Sequence, residues 1–204
     1  LKQLFLASSF SDVLPAFAEF VAHPKGKRVT FIPTASVVEK VVFYVNAGKK
    51  ALEKLGLVID VLELSTATTE EINNKLRNND LIYLTGGNTF YLLQEMKRTG
   101  ADQIIVDEVA AGKLLIGESA GAIVTAPNIE YVKGMDSIKK APGLANFDAL
   151  GLVDFYPVPH STNAPFQKIA QKIADTYSSS LNLMPFSNHE AIIVHGEKIK
   201  IERC

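Results

Sequence analysis

Lys113–Val124, read KLLIGESAGAIV, constrains the fold more than any other stretch of this sequence. Leu114, Leu115 and Ile116 form the short apolar run expected of a strand buried on both faces. Gly117-Glu118-Ser119-Ala120-Gly121 follows without a spacer, and Ala122-Ile123-Val124 is compatible with a helix. The pentapeptide fits G-x-S-x-G, the nucleophile elbow, in which a sharp strand-to-helix turn lifts a serine Oγ out of a sheet. Glycines let the backbone pass without a Cβ clash, and the new helix offers unpaired N–H groups to a developing oxyanion. The same five residues also fit a plain glycine-rich turn packed for close approach, so the surroundings have to decide.

Those surroundings alternate strand and helix. Strands are predicted at Lys2–Ala7, Arg28–Pro33, Leu57–Leu64 and Asp80–Leu84 before the central one. Between them, helices are predicted over Asp12–His23 and Val38–Leu55, with a short one opened by Thr68-Thr69-Glu70-Glu71 as a capping box. Tyr91–Lys97 and Asp102–Ala111 are two further helices broken at Gly100. About five βα units in succession imply an α/β fold of three layers, a mostly parallel sheet with helices on both faces. In such sheets ligands sit beyond the carboxyl ends of the strands, where Gly86-Gly87 and Gly117–Gly121 both fall. Beyond Pro127 the rhythm loosens. Asn128–Asn146 reads as irregular, Phe147–Val153 as a short helical turn, Asp154–Pro159 as a strand and Pro165–Tyr177 as a helix. Leu183–Phe186, Ala191–Val194 and Lys198–Ile201 close the chain as short strands, the last two as a hairpin. With 204 residues and no linker or repeat, one domain spanning 1–204 is the economical expectation.

Composition excludes several classes. The net charge is −1 with both signs scattered, so nothing resembles a phosphate-backbone footprint and nucleic acid is not an expected partner. No apolar run approaches the ~18–20 residues of a membrane span. The single cysteine, Cys204, excludes an internal disulfide and a structural cysteine-based zinc site, and it suits a reducing, cytoplasmic setting. No histidine and carboxylate cluster has ligand spacing, so neither a metal nor another cofactor is expected.

A serine nucleophile requires a base, and the chain has four histidines. His23 sits at a helix end and His195 in the hairpin turn; His189 precedes a strand beside Glu190. His160 is the best placed, following an apolar strand and opening the polar loop Ser161-Thr162-Asn163, although a loop histidine bonded to backbone would look the same. Ala120 N–H would be one oxyanion donor, and Gly87 or Asn88 the second. No Gly-Lys-Ser/Thr follows Gly86-Gly87 and no G-x-G-x-x-G occurs, which leaves nucleotide binding without support.

Taken together, Asp80–Leu93 (DLIYLTGGNTFYLL), Gly117–Gly121 (GESAG) and Pro159–Ala164 (PHSTNA) resemble peptidase family S51 in order and spacing. That family includes aspartyl dipeptidases and has cyanophycinase among its relatives. The resemblance implies a fold of the class I glutamine amidotransferase type and a serine peptidase acting on short peptides. Carried over residue by residue, it makes Ser119 the nucleophile, His160 the base, and Gly87 and Ala120 the oxyanion donors. Family members carry a glutamate just before the penultimate strand, and alignment on Ala191–Val194 puts Asn188 there, with Glu190 two residues on. Glu190 and Asn188 therefore stand level as the group that orients His160, with Asp136 behind them. The arginine suited to an aspartyl side chain in the family's dipeptidases has no counterpart in Ser161–Glu202. A catalytically weakened or non-catalytic binding protein and a general esterase are the competing expectations. The expected partner is a small peptide, and the expected state a monomer or homodimer.

Overall fold

The computed structural model describes residues 1–204. Its main sheet has seven strands in the order β3-β2-β4-β5-β1-β8-β9. These are β1 (Gln3–Ala7), β2 (Arg28–Ile32), β3 (Val58–Val61), β4 (Leu81–Leu84), β5 (Leu114–Glu118), β8 (Glu190–His195) and β9 (Lys198–Arg203). The first five are parallel, and β8 and β9 join antiparallel to β1 and to each other. A separate parallel pair is formed by β6 (Tyr156–Val158) and β7 (Leu183–Pro185). The central strands are buried on both faces because their side chains alternate between two apolar layers. Phe5, Phe31, Tyr83 and Ile116 point into one layer. Leu4, Leu6, Ile82, Leu84 and Leu115 point into the other. Helices α1 (Leu14–Phe20) and α2 (Phe43–Lys54) cover the first face. The second is covered by α3 (Thr69–Asn78), α4 (Thr89–Thr99), α5 (Ala101–Ala110), α6 (Ala120–Ile123) and α7 (Gln167–Tyr177). This is the expected three-layer α/β arrangement with a mostly parallel sheet.

The strand register brings β1, β4 and β5 side by side at their carboxyl ends, with Leu84 opposite Gly117 and Ala7 opposite Glu118. The elbow depends on close approach there. A Cβ on Gly121 would lie 2.2 Å from the Leu84 carbonyl oxygen, so only glycine lets α6 pack against β4.

Three expectations fail locally. The helix predicted over Val38–Leu55 begins only at Phe43. Its β-branched start, Val38 to Val42, is poorly disposed to helix. That segment is instead held outward, with Lys140 Nζ donating to the Val38 carbonyl (2.6 Å) and pairing with Glu39 (3.0 Å). The helix predicted over Asp12–His23 is a 3₁₀ turn, Phe10–Val13, followed by α1 with Pro15 in its first turn. Finally, Phe147–Val153 is not helical. Its backbone pairs with the chain leaving the elbow, through Ala149 N–H to Pro127 O and Leu150 N–H to Val124 O. No helix of the protein is long and apolar enough to cross a membrane.

Candidate active site

Ser119 sits between β5 and α6 with φ 51° and ψ −105°, a backbone conformation that side-chain-bearing residues rarely adopt. Its N–H donates to the Ala7 carbonyl at 2.8 Å, and its own carbonyl accepts from Ala122 and Ile123 N–H in the first turn of α6. The turn is thus tied to β1 on one side and to the helix on the other, and the hydroxyl is left pointing out of the sheet edge. Ser119 Oγ lies 3.0 Å from His160 Nε2.

His160 follows β6 and also has positive φ, 59°. Four contacts fix it. Its N–H donates to Ser8 Oγ at 3.0 Å, and its carbonyl accepts from Asn163 N–H at 3.1 Å. The ring stacks on Phe166 with centroids 5.0 Å apart, and Nδ1 lies 2.7 Å from Asn188 Oδ1. An amide oxygen facing Nδ1 requires the proton on that nitrogen, which leaves the Nε2 lone pair for the serine O–H. Burial lowers the proton affinity of His160 below the ordinary imidazole value, partly opposed by its bond to Asn188. At neutral pH the ring is therefore an unprotonated base.

Asn188 lies in a turn ahead of β8, with its N–H held by Asn163 Oδ1 at 2.9 Å. The other two carboxylic candidates are engaged elsewhere. Glu190 accepts from Ser187 N–H (2.8 Å) and pairs with Arg203 on β9 (2.8 Å). Arg203 first and Ser187 second hold its carboxyl below the usual range. Asp136 accepts from both the N–H and the hydroxyl of Thr89 at the start of α4, where a carboxylate also meets the positive end of the helix. Of the three residues, only Asn188 is hydrogen-bonded to His160. Glu190→Gln should accordingly change kcat by less than about threefold, since its partners are structural; a loss of orders of magnitude in steady-state assays would restore Glu190 as the orienting group.

The loop after β4 forms the other wall. Asn88 N–H is committed to the Ala35 carbonyl (2.8 Å), which leaves Gly87 as the loop's candidate oxyanion donor beside Ala120. Gly87 has φ 133°, and a Cβ there would fall 2.2 Å from Ala35 O, so this path is closed to other residues. Gly86 is sandwiched between Ser119 and Tyr44: a Cβ on it would sit 3.4 Å from Ser119 Cβ and 3.5 Å from the Tyr44 ring. Burial and the carboxylates of Glu39, Glu118 and Asp136 push the Tyr44 phenol up to about 12, so it remains a hydrogen-bond donor.

Ser8, Asn163, Phe166 and Tyr44 were not legible as site residues from motif spacing. Ser8 and Asn163 had a usable signal, since both are polar residues just past the carboxyl end of a strand. Phe166 and Tyr44 reach the site only through tertiary packing.

Residues 4–202 match the model of peptidase family S51. The chain is 59% identical over 203 residues to the uncharacterized peptidase Lmo0363 of Listeria monocytogenes, covering 100% of this chain and 99% of that one. It is 35% identical over 140 residues to peptidase E of Salmonella arizonae, covering 68% of this chain and 58% of that longer protein. A crystal structure of a protein from Listeria monocytogenes, provisionally named peptidase E, superposes with TM-score 0.96 at 58% identity, covering 100% of this chain and 98% of that one. A peptidase from an acI-B1 actinobacterium shares the fold at TM-score 0.74 and 20% identity, over 100% of this chain and 88% of that one.

Proposed function

The chain belongs to peptidase family S51, and we propose that it is a serine-type peptidase cleaving short peptides from a free amino terminus through an acyl-enzyme. The observation that carries this reading is the relay Ser119 Oγ, His160 Nε2, His160 Nδ1, Asn188 Oδ1, with steps of 3.0 and 2.7 Å. Ser119 attacks the scissile carbonyl as His160 takes its proton, and the tetrahedral oxyanion is met by Gly87 and Ala120 N–H. His160 then gives the proton to the leaving amine, and water hydrolyses the ester by the same route in reverse. Asn188 holds the ring in the productive tautomer but brings no charge to the imidazolium.

Charges beside the elbow bear on the substrate's amine and on its side chain. At the rim near Tyr44, Glu39, Glu118 and Asp136 act on the phenol as negative charges, and this field suits an ammonium group even with Glu39 and Asp136 themselves paired. The cation at this rim, Lys140, is already paired with Glu39 at 3.0 Å, so an aspartyl side chain has less to bind than in the family's aspartyl dipeptidases. A cytoplasmic setting fits a chain whose single cysteine, Cys204, is an exposed free thiol. The uncharged Asn188 favours one second reading, a binding protein that keeps the serine but turns over little. A panel of dipeptides, tripeptides, their N-acetylated forms and casein separates the two. Hydrolysis is expected for free-amine di- and tripeptides, with at least a tenfold loss on N-acetylation. Release of internal fragments from casein would contradict the proposal, and saturable binding without turnover would favour the second reading.

A further inference from the structure

The residue inside the elbow, Glu118, is 4% exposed and takes no part in the relay. Its side chain leaves β5 on the side of Phe10 and Tyr83 and meets donors from two neighbouring strands and the turns after them. Oε1 accepts from Phe10 N–H at 2.9 Å, just past β1, and Oε2 accepts from the Tyr83 hydroxyl at 2.9 Å, within β4. Gly86 N–H, in the loop after β4, lies near enough to the carboxylate to favour its ionised form. Every partner is a donor. Tyr83 is itself fixed, stacked on Phe31 at 4.9 Å and edge-on to Phe10 at 5.2 Å.

We propose that Glu118 is a positioning residue: its carboxylate clamps the ends of β1, β4 and β5 together and so aims the Gly86-Gly87 loop and the elbow at one acyl carbon. The proposal rests on the serine-peptidase reading, which uses those amides. The β1 loop clamped through Phe10 also carries Ser8, which holds His160 N–H at 3.0 Å, so one carboxylate braces both the oxyanion side and the base. An apolar residue at 118 would leave the Phe10 N–H and the Tyr83 hydroxyl without their acceptor inside the protein. Burial lowers His160's proton affinity and its bond to Asn188 raises it, and Glu118 makes no contact with the ring, so Glu118 acts through the backbone and not as a counter-ion to the imidazolium.

The clamp carries a pH signature. Two hydrogen bonds satisfy the ionised form, one on each oxygen, and protonation removes one acceptor site. Burial opposes ionisation and raises the carboxyl to about 7, against the bonds from Phe10 and Tyr83 and the nearby Gly86 N–H. The titratable groups facing it are Tyr83, held protonated by burial, Asp12, whose like charge adds to the upward shift, and Tyr44 across Gly86.

The test is the rate of Ser119 modification by a fluorophosphonate between pH 5 and 9, with amide hydrogen exchange at residues 10 and 86 measured alongside. In the unsubstituted protein the rate should fall about tenfold from pH 8 to pH 6, as the ionised fraction of a group near 7 drops from ~0.9 to ~0.1. Glu118→Gln should lose about tenfold at pH 8 and keep only the lower limb of His160. Tyr83→Phe removes a bond that favours the carboxylate and should move the upper limb to higher pH. Both variants should exchange faster at residues 10 and 86. A merely structural role would lower the melting temperature and leave the profile shape intact. Unchanged exchange and an unchanged limb in Glu118→Gln, or in Tyr83→Phe if the first does not fold, would overturn the clamp. Faster exchange in a protein that is never labelled would uphold the clamp and overturn the peptidase reading instead.

Discussion

Ser119→Ala is expected to lower peptide turnover by roughly 10⁶-fold, the loss found when the nucleophile of a serine protease is removed. The size follows from the chemistry, because no other hydroxyl is hydrogen-bonded to His160 Nε2, and without it the oxyanion donors act on water attack alone. The fold should be unaffected. The backbone bonds that shape the elbow, Ser119 N–H to Ala7 O and the two from α6 to Ser119 O, do not involve the side chain. Circular dichroism and melting temperature within a degree or two of the parent, with activity at background, is the expected pair of results. Retention of more than a few per cent of the activity would move the nucleophile elsewhere.

The second large effect runs in the opposite direction. Asn188→Asp is expected to raise kcat by about 10- to 100-fold. The replacement is isosteric and places a carboxylate oxygen where Oδ1 now lies, 2.7 Å from His160 Nδ1. Exchange of aspartate for asparagine at this place in a serine protease costs about 10⁴, in part because the amide selects the wrong tautomer. Here the amide oxygen already faces the ring, so only the charge on the developing imidazolium remains to be gained, and the expected gain is smaller than that cost. The sign of the pH effect follows from the same contact. His160 is now shifted below the ordinary imidazole value by burial, and an adjacent anion favours its protonated form. The acid limb that belongs to the base should therefore move to higher pH in Asn188→Asp even as the plateau rises. Asn188→Glu, the residue the family pattern carries, adds a methylene to a contact that is already short and should gain less. A plateau that stays level or falls in Asn188→Asp would mean that charge on His160 does not limit the rate.

Why the sequence pointed to Ser119 and His160, which the fold brings within 3.0 Å, but left the third residue open has a physical explanation. Glycine spacing and strand–helix alternation are local signals, and they carried the elbow, the sheet layers and the terminal hairpin. The choice between Asn188 and Glu190 is not local. β8 begins at Glu190, and the turn from Ser187 to Glu190 is closed by Glu190 N–H to Ser187 O and Ser187 N–H to Glu190 Oε2. That turn frees Asn188 from strand alternation and lets it swing to His160. Glu190 is meanwhile drawn to Arg203, a partner 13 residues away on the neighbouring strand. Asp136 is likewise removed by a tertiary contact, its bonds to Thr89 at the start of α4. The shortened α2 belongs to the same class, since Val38–Val42 is detained by Lys140 from a loop about a hundred residues later. Glu118 is part of the motif itself, yet its partners are Tyr83 on β4 and Phe10 in the turn after β1, both set by tertiary packing.

The most direct test of the account is the mass of the intact protein, and of its peptides, after reaction with a fluorophosphonate at pH 8. The expected result is one adduct per chain, located on Ser119 and lost in both Ser119→Ala and His160→Ala. An adduct on another residue, or none under conditions that label a standard serine hydrolase to completion, would contradict the claim that Ser119 is a nucleophile activated by His160.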